Sequence, residues 1–306
     1  MVSRADGMAS IKTMNFDHLV GLEVGTSRLL KPLGRGSMAV VFTAYQKTLK
    51  RQIAVKLLPK SLLTPRLAEM FTLEAEAAAA LSHPGIIPVY EMGQTDDFLL
   101  FTMQLVQGQS LMDYIRKTRK NPLPSKQTMP VAFSLNIMTP VLEALDYAHG
   151  SGVVHRDIKP ANILIEDHSR RPIIADFGVA RSYADSNEGS RIVVGTPAYM
   201  APEQIVSSTV DGRADIYAAG VMLFELLCGQ LPYPPFDSST KLLKFKLKSR
   251  DRLFIKSPSQ LNPKVDGALE KIVYKAVAFD KNQRFETGRA FSQALEHYLA
   301  QADLQD

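Results

Sequence analysis

The chain has 306 residues, enough for two packed lobes or one large α/β domain, and a formal net charge of +5. Apolar residues make up 45% and charged residues 22% of it, values near the globular average that exclude a disordered or fibrous protein. The small positive excess suits an anionic ligand such as a nucleotide but is too small to indicate a nucleic-acid-binding protein.

The cysteine and hydropathy patterns bear on the compartment. Cys228 is the only cysteine and lies in an apolar run, so it is expected to be a buried, inert thiol, and no disulfide can form within the chain. Residues 1–20 lack the apolar core of a secretory signal, and no apolar run approaches the roughly 18 residues that span a bilayer. We therefore expect a soluble, cytoplasmic protein without a membrane segment.

The first hundred residues predict a small sheet with one helix. Residues 1–27 show little periodicity and are predicted to be a loosely ordered leader. Apolar, β-branched stretches then predict an antiparallel meander, and two later segments should complete the sheet; the stretches are 29–30, 39–45, 52–58, 86–90 and 98–103. Thr64-Pro65 is a typical helix start, a capping hydroxyl before a proline at the first helical position, and predicts a helix over 67–81.

After a predicted hinge at residues 107–109 the pattern becomes helical. Apolar spacing predicts helices over 131–149, 211–227, 266–278 and 288–299. Residues 176–203 contain no convincing element, and a loop of that length in a compact domain is usually functional.

The stretch His-Arg-Asp-Ile-Lys-Pro-Ala-Asn at residues 155–162 carries the strongest chemical signal. Asp157 could accept a proton from an attacking hydroxyl, and Lys159 could steady a transferring phosphoryl group. Asn162 could supply an oxygen to Mg²⁺, which prefers oxygen ligands. A lone His-Arg-Asp tripeptide arises easily by chance, so the stretch needs support from other motifs.

That support comes from Asp-Phe-Gly at residues 176–178 and Ala-Pro-Glu at 201–203, which follow in order. The set resembles the protein kinase superfamily, and Lys159 its serine/threonine branch; the chain looks most like a bacterial Hanks-type serine/threonine protein kinase catalytic domain. The resemblance implies an α+β, bilobal protein kinase fold with an ATP cleft between the lobes. The N-lobe, 28–106, would hold a five-stranded antiparallel sheet and one helix, and the C-lobe, 107–306, would be mainly helical, with 28–300 forming one kinase domain.

A nucleotide site is implied by two further motifs. Residues 34–41, Gly-Arg-Gly-Ser-Met-Ala-Val-Val, resemble the kinase glycine-rich loop with Ala39 in place of its third glycine. Lys56 ends a later apolar strand and would contact the ATP phosphates while pairing with a helix glutamate, for which Glu74 fits the family spacing better than Glu69 or Glu76.

The resemblance also places Met103 behind the adenine and gives the backbone of residues 104–106 to the base, although each apolar position taken alone is better explained as core. The implied ATP-binding set is Leu33, Gly34, Arg35, Gly36, Ser37, Met38, Ala39, Val41, Ala54, Lys56, Glu74, Met103, Gln104, Val106, Asn162, Leu164 and Asp176.

The implied activity is Mg²⁺-dependent transfer of the ATP γ-phosphate to serine and threonine hydroxyls of proteins, with Mn²⁺ as an alternative metal. The implied catalytic residues are Asp157, Lys159, Lys56 and Thr196, and the implied metal ligands are Asn162 and Asp176. The expected partners are protein substrates, the kinase itself through autophosphorylation, and a second kinase molecule in a homodimer. A nucleotide-binding pseudokinase scaffold is the rival hypothesis, and the intact catalytic residues argue against it.

Control and bracing residues follow from the same resemblance. Arg156 marks kinases that are switched by phosphorylation of the activation loop, whose hydroxyls here are Ser182, Ser186, Ser190 and Thr196. Ser190 is the predicted switch, with Glu188 supplying part of the charge, although both could be solvated loop residues.

Glu203 and Arg284 are expected to form a buried ion pair, and Asp215 to brace the backbone of the catalytic loop. The basic run 241–256 is interpreted as a solvated helix face, with docking of acidic proteins as the alternative.

Overall fold

The computed structural model describes residues 15–36, 39–123, 126–177, 196–207 and 209–302. They form two compact units. The first contains the described residues up to Ser82 together with Ile87–Val106, and the second contains His83–Ile86 and the described residues from Gln107 onward.

The first unit is built on a six-stranded antiparallel sheet of order β1-β2-β3-β4-β6-β5. Its strands are β1 (Glu23–Val24), β2 (Ser27–Arg35), β3 (Val40–Gln46), β4 (Arg51–Pro59), β5 (Val89–Gln94) and β6 (Phe98–Met103). The sixth strand arises because the two residues of β1 turn back onto β2 through Gly25, whose φ of +56° suits glycine in a tight turn.

Residues 15–27 contradict the prediction of a loosely ordered leader. Phe16, Leu19 and Val24 are buried in the same hydrophobic core as Leu29 and Phe42. A single 3₁₀ turn, Asp17–Leu19, spaces these side chains, so they follow neither the helical nor the strand period on which the prediction rested.

Helix α1 (Pro65–Ala79) begins as its start signal predicts, because the Thr64 hydroxyl oxygen accepts a hydrogen bond from the Leu67 N–H at 3.2 Å. The helix packs on the sheet through Phe71, whose ring centroid lies 5.0 Å from that of Phe101. Strand β5 begins at Val89, three residues later than predicted. Ile86 instead forms an isolated parallel bridge to Ile174, and both of these residues belong to the second unit.

The second unit is mainly helical, as predicted, and it also contains a small antiparallel sheet that the sequence pattern did not predict. Its helices are α2 (Leu111–Arg119), α3 (Val131–Gly150), α4 (Pro202–Val206), α5 (Arg213–Cys228), α6 (Ser239–Ser249), α7 (Pro258–Leu261), α8 (Gly267–Ala276) and α9 (Gly288–Ala302). Strands β7 (Gly108–Ser110), β8 (Ile163–Glu166) and β9 (Pro172–Ile174) form the sheet.

Helix α5 is the centre of this unit, because its residues from 214 to 228 are all buried. Gly220 lets α8 approach closely, since a side-chain carbon at that position would lie 2.7 Å from Cβ of Ala276. Cys228, at the end of α5, is buried, and burial raises the pKa of its thiol to about 12, so it is the inert thiol expected.

Helix α6 carries most of the basic run 241–256 and partly contradicts its interpretation as a solvated face. Lys244 and Lys248 are exposed, but Lys246 is 1% exposed and points into the protein. None of the helices in the described part of the chain has the length and apolar character needed to cross a membrane.

The burial of Leu19 predicts that residues before the kinase-like motifs stabilise the first unit. Leu19→Ala removes a core side chain and should lower the free energy of unfolding by about 2–3 kcal/mol in urea titrations. Val20→Ala is the matched control, because Val20 is 48% exposed, and it should stay within about 0.5 kcal/mol of wild type. Equal effects of the two substitutions would contradict the packing of this turn.

Candidate functional site

The carboxylate of Asp157 is the meeting point of the predicted catalytic residues in the second unit. Its Oδ2 accepts a hydrogen bond from Lys159 Nζ at 2.5 Å, and its Oδ1 accepts one from the backbone N–H of Thr196 at 3.1 Å. Asn162 Nδ2 donates to the backbone carbonyl of Asp157 at 2.9 Å. The structure thus brings four predicted residues together around one partly exposed carboxylate, with Thr196 joining through its main chain.

The loop that carries Asp157 is fixed from below by Asp215 in the first turn of α5. Asp215 Oδ2 accepts from the His155 N–H and Oδ1 from the Arg156 N–H, both at 2.8 Å, so the predicted brace is present. His149 Nε2 lies 2.8 Å from Oδ2. The brace holds Arg156 at φ +65°, a left-handed conformation that costs free energy in a residue with a side chain.

The charge of Asp215 is kept by its surroundings. Burial alone would raise the pKa of this carboxyl group, but the hydrogen bond and charge of His149, together with the bond from His155, outweigh it and lower the pKa below its usual value. Asp215 therefore remains an acceptor for both backbone N–H groups throughout the neutral pH range.

The two predicted metal ligands lie on connected backbone. The Ala175 N–H, next to Asp176, donates to the Asn162 carbonyl oxygen at 2.9 Å. Asp176 has φ +56°, a second left-handed residue in the site. The ring of His155 packs on Phe177 with centroids 4.7 Å apart, and its Nε2 lies 3.2 Å from the Ala175 carbonyl oxygen.

The donor set of Asn162 and Asp176 fits a hard cation. Asn162 uses its amide nitrogen for Asp157, so its Oδ1 is the atom it can offer to a metal. Within the described ranges no group of three or more His, Cys, Asp and Glu side chains forms a metal cluster. An amide oxygen and one carboxylate suit Mg²⁺, which takes few protein ligands and completes its shell with phosphates and water.

In the first unit, Lys56 on β4 pairs with Glu74 on α1, the glutamate favoured among the three candidates. Lys56 Nζ lies 2.5 Å from Glu74 Oε1, and both side chains are buried. The ammonium also lies 5.7 Å from the centroid of the Phe101 ring, against which Phe71 of α1 packs. The contact that attaches α1 to the sheet therefore also positions the ion pair.

The predicted phosphate loop connects β2 and β3. The Gly36 N–H donates to the Ala39 carbonyl oxygen at 2.8 Å, and Gly34 pairs with Val41 in the register of the two strands. Ala39, in place of the third glycine of the family motif, is buried. Ser37 and Met38, predicted to bind nucleotide, lie outside the described residues.

The predicted adenine-binding residues of the first unit lie mostly on one face of the sheet. Register pairs Val41 with Lys56 and Ala54 with Met103, and residues two apart on a strand share a face. Leu33 is half exposed on β2. Leu164 lies on β8 of the second unit.

In the segment after β6, one backbone N–H is already bonded within the protein. The Gln104 N–H donates to the Pro88 carbonyl oxygen at 3.0 Å. Gln104 could therefore offer a base its carbonyl oxygen rather than its N–H, and the assignment of the backbone of residues 104–106 to the base stays a prediction.

Two ion pairs brace the segment that ends in Ala-Pro-Glu. Arg284 donates to both carboxylate oxygens of Glu203, at 2.7 and 2.8 Å, which is the predicted pair. Arg119 donates to Glu225 at 2.7 Å, and the same carboxylate accepts from the Tyr199 hydroxyl at 2.5 Å.

Sequence reasoning missed the second of these pairs, and it also missed Gln204, whose Nε2 donates to the Arg156 carbonyl oxygen at 2.9 Å. Their partners are 26 to 106 residues apart in the sequence, so no local pattern signals them. Ser190, the predicted switch, lies outside the described residues, as do Glu188 and the other loop hydroxyls Ser182 and Ser186.

Comparison with known proteins agrees with this geometry. Residues 27–299 match a family model described as the protein kinase domain. The chain is 34% identical over 292 residues to the serine/threonine-protein kinase Pkn1 of Myxococcus xanthus, covering 93% of this chain and 40% of the relative. It is 35% identical over 274 residues to the serine/threonine-protein kinase PrkC of Bacillus subtilis, covering 88% of this chain and 40% of the relative.

A solved structure shows the same fold. The crystal structure of the Mycobacterium tuberculosis PknI kinase domain superposes with a TM-score of 0.68 at 27% identity and covers 91% of this chain and 98% of that one. The predicted kinase fold and the resemblance to bacterial serine/threonine kinases are thereby confirmed. The chain spans 40% of the length of the two curated relatives.

The bonds to Asp215 predict a pH-dependent stability. In Asp215→Asn one half of the side chain becomes a donor and faces a backbone N–H, so the free energy of unfolding should fall by about 2–4 kcal/mol. Because the pKa is lower in the folded state, this carboxylate stabilises the wild type above about pH 4, and the contribution is lost as the pH falls through the folded value.

Urea titrations between pH 3 and pH 7 check both statements. In Asp215→Asn the free energy of unfolding should fall less between pH 7 and pH 3 than in wild type, because the carboxylate that contributes to the wild-type decrease is gone. Asp237→Asn is the control, because Asp237 is exposed and its side chain forms a surface ion pair with Lys241 of α6. The idea is wrong if both variants follow the wild-type curve.

Proposed function

Because residues 27–299 match the protein kinase domain model, this chain belongs to that family, and we propose that it transfers the γ-phosphate of ATP to serine and threonine hydroxyls of proteins. The observation that carries the proposal is the carboxylate of Asp157, held between Lys159 and the backbone of Thr196. A kinase domain implies the use of ATP and a divalent cation in general; the residue roles below are our assignment.

Asp157 orients the hydroxyl of the protein substrate and accepts its proton as the oxygen attacks phosphorus. A positioned acid–base group of this kind typically contributes 10²–10⁴-fold to a rate. The hydrogen bond from Thr196 leaves the carboxylate little freedom to turn. Lys159, on its other oxygen, places a positive charge where negative charge gathers on the transferring phosphoryl group.

Lys56 and the metal ligands serve the nucleotide. Lys56, fixed by Glu74, would bind ATP phosphate oxygens, and the glycines at positions 34 and 36 would let the backbone approach the same phosphates. Asn162 and Asp176 hold Mg²⁺, or Mn²⁺ as the alternative. When bound, the cation would neutralise negative charge on the phosphates.

The wider setting is proposed on the same basis. The substrates are proteins, including the kinase itself, and a homodimer would provide autophosphorylation between two molecules. No described helix is suited to cross a membrane, and the single cysteine fits the proposed cytoplasmic location.

The catalytic assignment predicts that Asp157→Asn and Lys56→Met transfer less than about one hundredth of the wild-type phosphate, because each loses a base or a charge rather than core volume. Incorporation of radiolabelled γ-phosphate into a generic basic protein measures this. Asp167→Asn is the matched control, because Asp167 is exposed in the turn after β8, and it should keep wild-type activity. More than about a tenth of the wild-type rate in Asp157→Asn would remove Asp157 from this role.

The nature of Lys159 and Thr196 predicts serine and threonine as acceptors. Mass spectrometry of the purified active chain should find phosphate on serine and threonine residues and hardly any on tyrosine. Ser190 should be the site of highest occupancy. Phosphotyrosine as the main product would show that the assignment to the serine/threonine branch is wrong. Phosphate at serines or threonines other than Ser190 would contradict only the proposed switch.

A further inference from the structure

Lys246 on α6 is a buried cation that the proposed mechanism does not use. Its side chain is 1% exposed, and its Nζ donates to the backbone carbonyl oxygens of Ala198 and Met200 at 2.8 and 2.9 Å. The rings of Tyr217 and Tyr233 lie beside the ammonium, with centroids at 5.4 and 5.1 Å. No carboxylate of the described residues lies within ion-pairing distance of it.

An ammonium without a counter-ion is expensive to bury, so this arrangement is a poor way to gain stability. Burial lowers the pKa of Lys246 to about 7, which reports that cost. The carbonyls and aromatic faces offset only part of it. A methionine of similar length could fill the same space without the desolvation penalty, so the charge has to be explained by what it holds.

Lys246 binds the backbone of residues 196–200, the segment in which Thr196 donates a hydrogen bond to Asp157. The segment is fixed at three places: the Thr196 N–H on Asp157, the Tyr199 hydroxyl on Glu225, and the two carbonyls on Lys246. Residues 196–198 of this segment also line a cavity of about 820 Å³, together with Leu242 of α6. The same backbone is therefore bound to the carboxylate of Asp157 at Thr196 and borders this cavity at its partly exposed residues 196–198, where a protein substrate could reach it.

We propose that Lys246 is a positioning residue for the phosphorylation of protein substrates, because it fixes residues 196–200 in the conformation that joins Thr196 to Asp157. The inference rests on the proposed role of Asp157. Lys246 touches neither substrate nor Asp157, so its loss should weaken use of the protein substrate while leaving nucleotide binding intact.

Lys246→Met tests this, with Lys244→Met on the exposed side of α6 as the matched control. Initial rates are measured at varied concentrations of a generic basic protein and, separately, of ATP. We expect kcat/KM for the protein to fall about tenfold, the loss of roughly one charged hydrogen bond, with KM for ATP within about twofold of wild type. Lys244→Met should match wild type, and circular dichroism is used to show that Lys246→Met is folded at the assay temperature, because methionine leaves the carbonyls of Ala198 and Met200 without this donor.

The outcomes are separable. A folded Lys246→Met protein with kcat/KM for the protein substrate within about twofold of wild type would overturn the inference. If the wild type itself transferred no phosphate, the proposed function would fail. If Asp157→Asn were inactive and Lys246→Met unchanged, only this inference would fail.

The wild-type pH profile gives an independent measurement should the methionine variant not fold. The titratable and charged groups around Lys246 are Tyr199, Tyr217, Tyr233, Glu203, Glu225 and Arg284. Burial raises the pKa of the three tyrosines, so they stay neutral to well above pH 9. The lysine is thus the member of this group that changes charge near neutrality.

Above about pH 7 the neutral amine donates weaker hydrogen bonds, so kcat/KM for the protein should decline as the pH rises to 9. Lys246→Arg keeps its charge and should lack that decline. A wild-type profile that is flat across this range, or an identical decline in Lys246→Arg, would overturn the proposal.

Discussion

The buried carboxylate of Asp215 is the interaction on which the catalytic loop depends. It stands at the first turn of α5, where the helix dipole favours a negative charge, and it accepts two consecutive backbone N–H groups. Those two bonds hold Arg156 in a left-handed conformation that its side chain disfavours. The chain direction after Arg156, and with it the placement of Asp157, follows from this constraint.

Placing that carboxylate required a rigid, wholly buried helix, which α5 provides. Removing a charge from water costs a large free energy, and hydrogen bonds offset that cost only when their geometry is good. Asp215 has three partners at 2.8 Å, and Glu203 has both oxygens bound by Arg284. The second unit thus combines an apolar centre with a few hydrogen-bonded charges that fix the backbone around the site. Lys246 is a cation in the same role, because it binds backbone carbonyls of residues 196–200.

Local signals made part of this structure predictable. The Thr64-Pro65 start predicted α1, apolar and β-branched stretches predicted β3, β4 and β6, and the order of the motifs indicated the family. The pairing of Lys56 with Glu74 needed the family spacing, because this stretch contains three glutamates whose chemistry alone does not distinguish them.

The remainder could not be predicted because it depends on distant contacts. The turn at Phe16 and Leu19 has no period, and its burial becomes visible only when the sheet supplies the other wall of the core. Lys246 lies in a basic run whose neighbours are exposed, and nothing local separates it from them; its burial is decided by carbonyls 46 and 48 residues away. Arg119 and Glu225 are likewise joined across 106 residues.

Hydrogen exchange of the backbone amides of His155 and Arg156, followed by NMR on the intact chain, tests the central claim most directly. If the Asp215 carboxylate fixes the catalytic loop, both amides should exchange as slowly as those in the middle of α5, because their opening requires the buried carboxylate to lose its partners. Exchange of either amide within about tenfold of the rate for an unstructured peptide would contradict the account.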